Sequence, residues 1–529
     1  MMPNFFKLTV LFSHLVVGIS IFAARPALCQ KQPIAVTTTG TVAGLIEEGN
    51  YVWRGIPYAQ STGGQNRWKS PQPLENQETY FNATAYGFTC PQAYRSTFNF
   101  TAQDEDCLNL NIWTPASGKK LPVFVYIYGG AMVTGSNSDP TLTGANFAAK
   151  GVIYVNLNHR MNIFGFPNSP ELEGVQNFGI QDVAAALDWI HENIAAFGGD
   201  PSHIVLGGHS SGSVMVDHYL WTHKDTWLAG AIEMSANAVS GPPYALQPVG
   251  LNTMSAEVGC PTGTGQLACL RTKSIFEIET ANFNSTYNTW FAPIIDNTTY
   301  FKTYDAARYA ESFPKNVPLV VGNADKEGAI FGLIYSFENS PFSSWIETFD
   351  AALAHIPSEL VLAAYNQSLF ASVSAMSGQS YGDARFNCAH DYLVDLRAGH
   401  QKVWQYRWFG DYDNILGIPG LGPSHGSEVP FFHGGNDAFA YDIRSSVTPA
   451  EQALADFMND WLVAYIKNPS AGPGWGTTAP VNGTITEVGV PGLETTMVAG
   501  ASGTYNAICQ SLYKPWFPDF PVVQDPTKL

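Results

Sequence analysis

Residues 204–219 read Ile204-Val205-Leu206-Gly207-Gly208-His209-Ser210-Ser211-Gly212-Ser213-Val214-Met215-Val216-Asp217-His218-Tyr219. The apolar, β-branched start predicts a strand, the glycines a tight turn, and the run after Gly212 a helix. A serine hydroxyl is a poor nucleophile in water. A G-x-S-x-G turn between strand and helix helps by thrusting the Oγ of Ser210 clear of the backbone at the edge of a sheet, with glycines where a Cβ would collide.

The same pattern recurs in Gly378-Gln379-Ser380-Tyr381-Gly382 and in Gly422-Pro423-Ser424-His425-Gly426. No apolar strand precedes the first, because Ser372 to Ser377 are small and mostly polar. The second carries Pro423 inside it and Pro430 soon after. Neither reads as a strand-turn-helix elbow, so Ser210 is the candidate nucleophile.

No Ser/Gly tract, proline tract, charge block or internal repeat divides the 529 residues, and apolar segments recur throughout. Residues 30–529 therefore read as a single α/β domain, and a hydrophobic content of 45% is ample for one large core. A formal net charge of -18 repels phosphate backbones and anionic lipid heads, which excludes nucleic acid as a partner.

Residues 1–29 read as a secretory signal: Lys7 supplies the positive start, Leu8 to Ala24 the apolar stretch, and Ala27-Leu28-Cys29 a small-residue cleavage site. Ser13, His14, Gly18 and Ser20 interrupt it, and a retained anchor is the competing reading; no membrane span is expected in the mature chain. Six cysteines then remain, Cys90, Cys107, Cys260, Cys269, Cys388 and Cys509, an even number that suits an oxidising compartment. None forms C-x-x-C or pairs with spaced histidines, so neither a metal nor a cofactor is expected. Sequons at Asn82, Asn99, Asn284, Asn297, Asn366 and Asn482 agree with a secreted glycoprotein.

If Ser210 attacks an acyl carbon, donors must receive the developing oxyanion. The strand-like Leu121 to Tyr128 ends in Gly129-Gly130-Ala131, where bare glycine amides admit a carbonyl oxygen, and the Ser211 amide is the natural third donor. An ordinary Gly-Gly turn is the alternative for that stretch alone.

Several long motifs in order carry a resemblance: Arg54-Gly55-Ile56-Pro57-Tyr58-Ala59, Glu105-Asp106-Cys107-Leu108-Asn109-Leu110-Asn111-Ile112-Trp113, Asn158 to Phe166, and Asn193 to Pro201 leading into the elbow. From about Ile34 to Cys509 the chain resembles the type-B carboxylesterases, the cholinesterase and fungal lipase branch of the α/β-hydrolases. The resemblance implies a mostly parallel central sheet flanked by helices, with a small N-terminal antiparallel sheet. It implies Glu327, in Asn323-Ala324-Asp325-Lys326-Glu327-Gly328, as the acid and His425 as the base, in the chain order Ser, Glu, His. Asp325 is the second candidate acid, and Ser235 occupies the position of a serine that supports the acid. The cysteines pair in this family as Cys90 with Cys107, Cys260 with Cys269, and Cys388 with Cys509.

The chain departs from the family at the site. His209 and Ser211 flank the nucleophile where Glu and Ala are usual, and Lys326 replaces an Asp. Tyr128-Gly129-Gly130-Ala131 replaces His-Gly-Gly-Gly, and Ala131 serves if its φ need not be positive. Between Cys90 and Cys107 stand Tyr94, Phe98 and Phe100 but no tryptophan to stack on choline, and the loop is short for a lipase lid. His209 and Phe291, in Trp290-Phe291-Ala292-Pro293, are expected to line the substrate pocket. The expected activity is hydrolysis of a small neutral ester. An esterase, lactonase or acyl-transfer role in a biosynthetic route, as in some fungal relatives, is the alternative. A non-catalytic adhesion role, as in neuroligin-like relatives, conflicts with retention of all three residues. The sequence does not bear on oligomeric state.

Overall fold

A computed structural model describes residues 32–74, 80–92, 102–240, 250–284, 291–334, 341–343, 356–415, 418, 420–434, 447–480 and 483–519. Two short strands open it, β1 (Ile34–Thr37) and β2 (Gly40–Ala43), followed by β3 (Leu45–Glu47), β4 (Asn50–Pro57) and β5 (Tyr80–Asn82). β1 and β2 are joined by two residues and so must pair antiparallel. β5 returns by a long connection and joins β2 in parallel, so the small N-terminal sheet is mixed rather than wholly antiparallel.

The remaining strands are β6 (Asn109–Pro115), β7 (Leu121–Ile127), β8 (Ile153–Leu157), β9 (Gly199–His209), β10 (Gly230–Met234), β11 (Leu319–Ala324), β12 (Val403–Trp408), β13 (Thr484–Val488) and β14 (Val498–Ala501). With β3 and β4 they form a sheet of order β14-β13-β12-β11-β10-β9-β7-β8-β6-β4-β3. From β13 through β8 every neighbouring pair is parallel; the two flanks are antiparallel. β8, β10, β11 and β12 are buried at every residue, as expected of parallel strands covered on both faces, and the polar side chains they carry, Asn156, Glu233, Asn323, Gln405 and Arg407, are buried with them.

Helices flank this sheet. The principal ones are α1 (Phe178–Asn193), α2 (Ser211–Thr222), α3 (Cys388–Arg397) and α4 (Pro449–Lys467). α2 lies on β9 and β10 and is buried on nearly every residue; its polar members are buried with partners, Ser213 donating to Ala236 O at 2.5 Å and Asp217 pairing with Arg397 of α3. Pro33–Leu529 packs as one compact unit.

The long motifs build this frame. Asn111 on β6 accepts from the Gly55 amide (2.8 Å) and donates to Asn156 on β8 (2.8 Å), tying the register shift of β4 at Gly55 to β6 and β8. Gly55 has φ 69, and a Cβ there would stand 2.6 Å from the Gly87 amide nitrogen, so only glycine fits. Arg160, just past β8, makes a forked pair with Asp182 of α1 at 2.8 and 2.7 Å, and Arg67 does the same with Glu105 at 2.6 and 2.5 Å. All four side chains are buried, so removing one partner would strand a charge at a cost of about 3–5 kcal/mol. The disulfides Cys90–Cys107, Cys260–Cys269 and Cys388–Cys509 close separations of 17, 9 and 121 residues. Chain entropy gives the last the largest stabilisation, on the order of 4–5 kcal/mol.

Candidate active site

Parallel strands deliver their following loops to one edge, and here β7, β9, β10 and β11 bring Gly129, Ser210, Ser235 and Glu327 to that edge. The elbow follows from close packing. A Cβ on Gly208 would lie 2.5 Å from the Gly212 carbonyl oxygen, and one on Gly212 would lie 2.1 Å from that of Ile127. Neither position admits a side chain. Ser210 itself takes φ 55, ψ −126, a strained conformation held by its amide donating to Met234 O (2.8 Å) and its carbonyl accepting from Val214 N (3.0 Å). The Ser210 side chain is partly exposed.

The strand-end loop beside it does not meet the condition set for Ala131, a φ that need not be positive, and reaches its conformation at the cost of that strain. Ala131 does adopt positive φ, 58°, and Met132 follows at 59°, after Gly130 at 123°. The turn imposes this, because Val133 and Thr134 amides both donate to Gly130 O at 3.0 and 3.1 Å. The Ser211 hydroxyl accepts from the Met132 amide at 3.1 Å and so ties the loop to the elbow. The amides of Gly130, Ala131 and Ser211 donate to no other described residue. Gly129 serves close approach: a Cβ there would stand 2.9 Å from both His209 O and Ser210 Cβ.

On the loop after β12, His425 Nδ1 lies 2.6 Å from Glu327 Oε2, while Glu327 Oε1 accepts from the Ala324 amide at 2.7 Å. Lys326 N donates to Pro423 O (2.9 Å), stitching the loops that carry the acid and the histidine. Phe386 and Phe331 pack on the His425 ring at 4.5 and 5.2 Å. Burial lowers His425 to about 3, so its imidazole is neutral at pH 7. Burial also raises Glu327 to about 7, against the opposing Ser235 hydroxyl, Ala324 amide and Arg407 charge. Asp325 is engaged elsewhere, in an ion pair with Arg407 at 2.8 Å.

A carboxyl that the sequence reading passed over lies behind this pair. The Ser235 hydroxyl donates to Glu428 Oε1 at 2.8 Å and is also a hydrogen-bond partner of Glu327, so it joins two buried carboxyls. His209 Nε2 is 3.7 Å from Glu428 Oε1, and the His209 and His425 rings are 4.7 Å apart. Glu428 had a sequence signal in its place three residues after His425 on the same loop.

Phe291 is fully buried, and its amide donates to Asn162 Oδ1 (3.2 Å), whose own amide donates to Met132 O (2.7 Å). The segment is thereby linked to the loop after β7. Ser380 lies buried within a helix, and Ser424 is buried and bridged to Lys326, so neither forms an elbow. His433 and His203 are tied to Tyr154 and to Ile466 O away from the couple. Asn82, Asn297 and Asn366 are exposed. Residues 1–29, read above as a signal, and Tyr94, Phe98, Asn99, Phe100, Trp290 and Asn482 lie outside the described residues, as does the side chain of Asn284. Among the described residues no helix is long and apolar enough to cross a membrane, and no three His, Cys, Asp or Glu side chains are grouped to hold a metal.

A parallel sheet with a serine elbow after a central strand and a histidine–carboxyl couple on neighbouring loops defines the α/β-hydrolase class. The chain matches the carboxylesterase family over residues 31–489 and belongs to that family. It is 31% identical over 468 residues to para-nitrobenzyl esterase of Bacillus subtilis (strain 168), spanning 83% of this chain and 90% of that protein. It is 26% identical to chlorogenic acid esterase of Aspergillus niger, over 88% of both chains, and 28% identical to acetylcholinesterase of Bungarus fasciatus, over 82% and 78%. A solved PNB esterase superposes with a TM-score of 0.75 at 24% identity, covering 93% of this chain and all of that one. The protein is a carboxylic ester hydrolase that acts on small-molecule esters.

Proposed function

We propose that Ser210, His425 and Glu327 cleave the ester through an acyl-enzyme. The reading rests chiefly on the 2.6 Å His425–Glu327 bond, formed at the same sheet edge as the strained Ser210 elbow. His425 Nε2 takes the Ser210 proton as Oγ attacks the acyl carbon, and the negative oxygen is received by the Gly130, Ala131 and Ser211 amides. His425 then returns the proton to the leaving alcohol, and water repeats the sequence on the acyl-serine. Glu327 holds Nδ1–H in place and balances the transient imidazolium.

The proposed substrate is a small neutral ester rather than a choline ester or an emulsified triglyceride. No tryptophan stands between Cys90 and Cys107, and the carboxylate usual before the nucleophile is replaced by His209. Secretion is proposed on residues 1–29, the three disulfides and the exposed sequons. Purified mature protein should cleave nitrophenyl esters, with activity abolished in folded Ser210→Ala. Comparing short and long acyl chains with a panel of lactones separates hydrolysis of open esters from ring opening; full activity in Ser210→Ala defeats the reading.

A further inference from the structure

Among the described residues, Ala131 and Met132 are the only consecutive non-glycine residues at positive φ, 58° and 59°, and Gly130 precedes them at 123°. Two side chains in a row therefore occupy a region that L-residues seldom enter. Exposure divides this stretch into two layers: Gly130 and Ala131 are partly exposed, as Ser210 is, whereas Met132 and Ser211 are buried behind them. The Gly130 and Ala131 amides donate to no other described residue, and the Met132 amide donates to the Ser211 hydroxyl at 3.1 Å.

Other contacts fix the ends of the turn without touching its strained peptide. Gln92 clamps the far end: its Oε1 accepts from the Gly135 amide at 2.9 Å and the Thr134 hydroxyl at 2.7 Å, and its Nε2 donates to Gly135 O at 2.9 Å. Met132 O accepts from the Asn162 amide at 2.7 Å. The peptide that joins Ala131 to Met132 has one partner among the described residues, the Ser211 hydroxyl. Ser211 opens α2 directly after the nucleophile, so the elbow itself sets where that acceptor stands. Alanine at 211 would leave a buried amide without an acceptor, and the peptide could rotate to return Met132 to negative φ, re-aiming the amides beside it.

We propose that the Ser211 hydroxyl is a positioning group for the reaction: by accepting from the Met132 amide it holds Gly130 and Ala131 in the strained arrangement whose amides receive the oxyanion, and so offsets the strain that a Cβ at position 131 adds. The hydroxyl touches no reacting atom in this role; it acts through the loop. Both positions depart from the family pattern, which has alanine and glycine there, and the two departures work as a pair. This deepens the reading of Ser210 as the nucleophile and rests on it. Because the amides are aimed at charge that develops only as the acyl carbon is attacked, losing their alignment lowers kcat rather than raising KM.

The test uses the full mature chain, nitrophenyl acetate, and a trifluoromethyl ketone as a mimic of the tetrahedral state. Ser211→Ala, folded by circular dichroism, should lower kcat about fivefold with KM within about twofold of wild type, and should weaken inhibition by the ketone by the same factor. In an Ala131→Gly background the same substitution should cost less than about twofold, because glycine carries no penalty at positive φ. A residue that merely supported the fold would lose as much in either background. The proposal is overturned by a kcat loss below about twofold for Ser211→Ala, by a loss carried in KM, or by losses that differ less than about twofold between the two backgrounds. Ser210→Ala is read separately: its complete loss of turnover upholds the nucleophile whatever Ser211→Ala does, and turnover surviving there removes both readings.

Discussion

Two histidine–carboxyl pairs stand side by side at the sheet edge, with rings 4.7 Å apart, and they face opposite ways. His425 turns Nδ1 inward and closes on Glu327 at 2.6 Å; His209 turns Nε2 inward and stops 3.7 Å short of Glu428. The difference lies in what carries each ring. His425 sits on a loop stitched to the acid's own loop through Lys326 and Pro423, so that couple can tighten. His209 is the last residue of β9, in register with Met234 of β10, and the sheet sets its distance from Glu428. A loop histidine can serve as a base, whereas one held by a strand presents a fixed contact.

The largest expected effect tests which couple does chemistry. Ser210→Ala or His425→Ala should lower kcat/KM for a nitrophenyl ester by about 10⁴-fold or more, and Glu327→Gln by about 10³-fold, in protein that stays folded by circular dichroism. Glu428→Gln should cost only about threefold, since burial and the Glu327 charge raise Glu428 to about 8 and an amide keeps the shape of that neutral carboxyl. Equal losses at Glu327 and Glu428 would erase the distinction between the pairs.

Gly212→Ala should destabilise the fold by about 3 kcal/mol or more in urea unfolding, because its Cβ meets backbone at 2.1 Å. Gly426→Ala, whose Cβ would rest 3.5 Å from His209 Cε1, should cost only about 1 kcal/mol, the price of its φ of 84°. A reversed order would show that the elbow has more room than its packing allows.

A smaller effect lies in the pH profile. Glu327 is raised to about 7, so it takes up a proton as pH falls through neutrality, and the support for an imidazolium on His425 goes with it. The acid limb of kcat/KM should therefore fall near pH 7, although His425 itself stays neutral to about 3. Ser235→Ala removes a donor that favours the Glu327 carboxylate and should move that limb upward by about 0.4–1 pH unit. An unmoved limb would place the titration elsewhere.

Much of this was legible in the chain. The apolar runs that became the parallel strands, the single flanked elbow at Ser210 and the ordered motifs pointed to the fold. Glu327 and His425 came from the family resemblance, because no local pattern ties residues 98 positions apart. Glu428 escaped notice since a glutamate three residues past a histidine reads like any helix start, and the φ of Ala131 was left as a condition because its turn partners were not visible.

By itself the sequence determined where side chains could not be. Glycines at 129, 208 and 212 mark points where backbones meet, and that exclusion is local and readable from residue type. Only tertiary structure decided which charged and polar groups meet. His425 reaches Glu327, Asp325 is taken by Arg407, and Ser235 is shared between two carboxyls, because parallel strands far apart in sequence end at one edge. Protonation states follow from that meeting: burial and neighbouring charge set them, and both belong to the packed sheet edge rather than to any stretch of the chain.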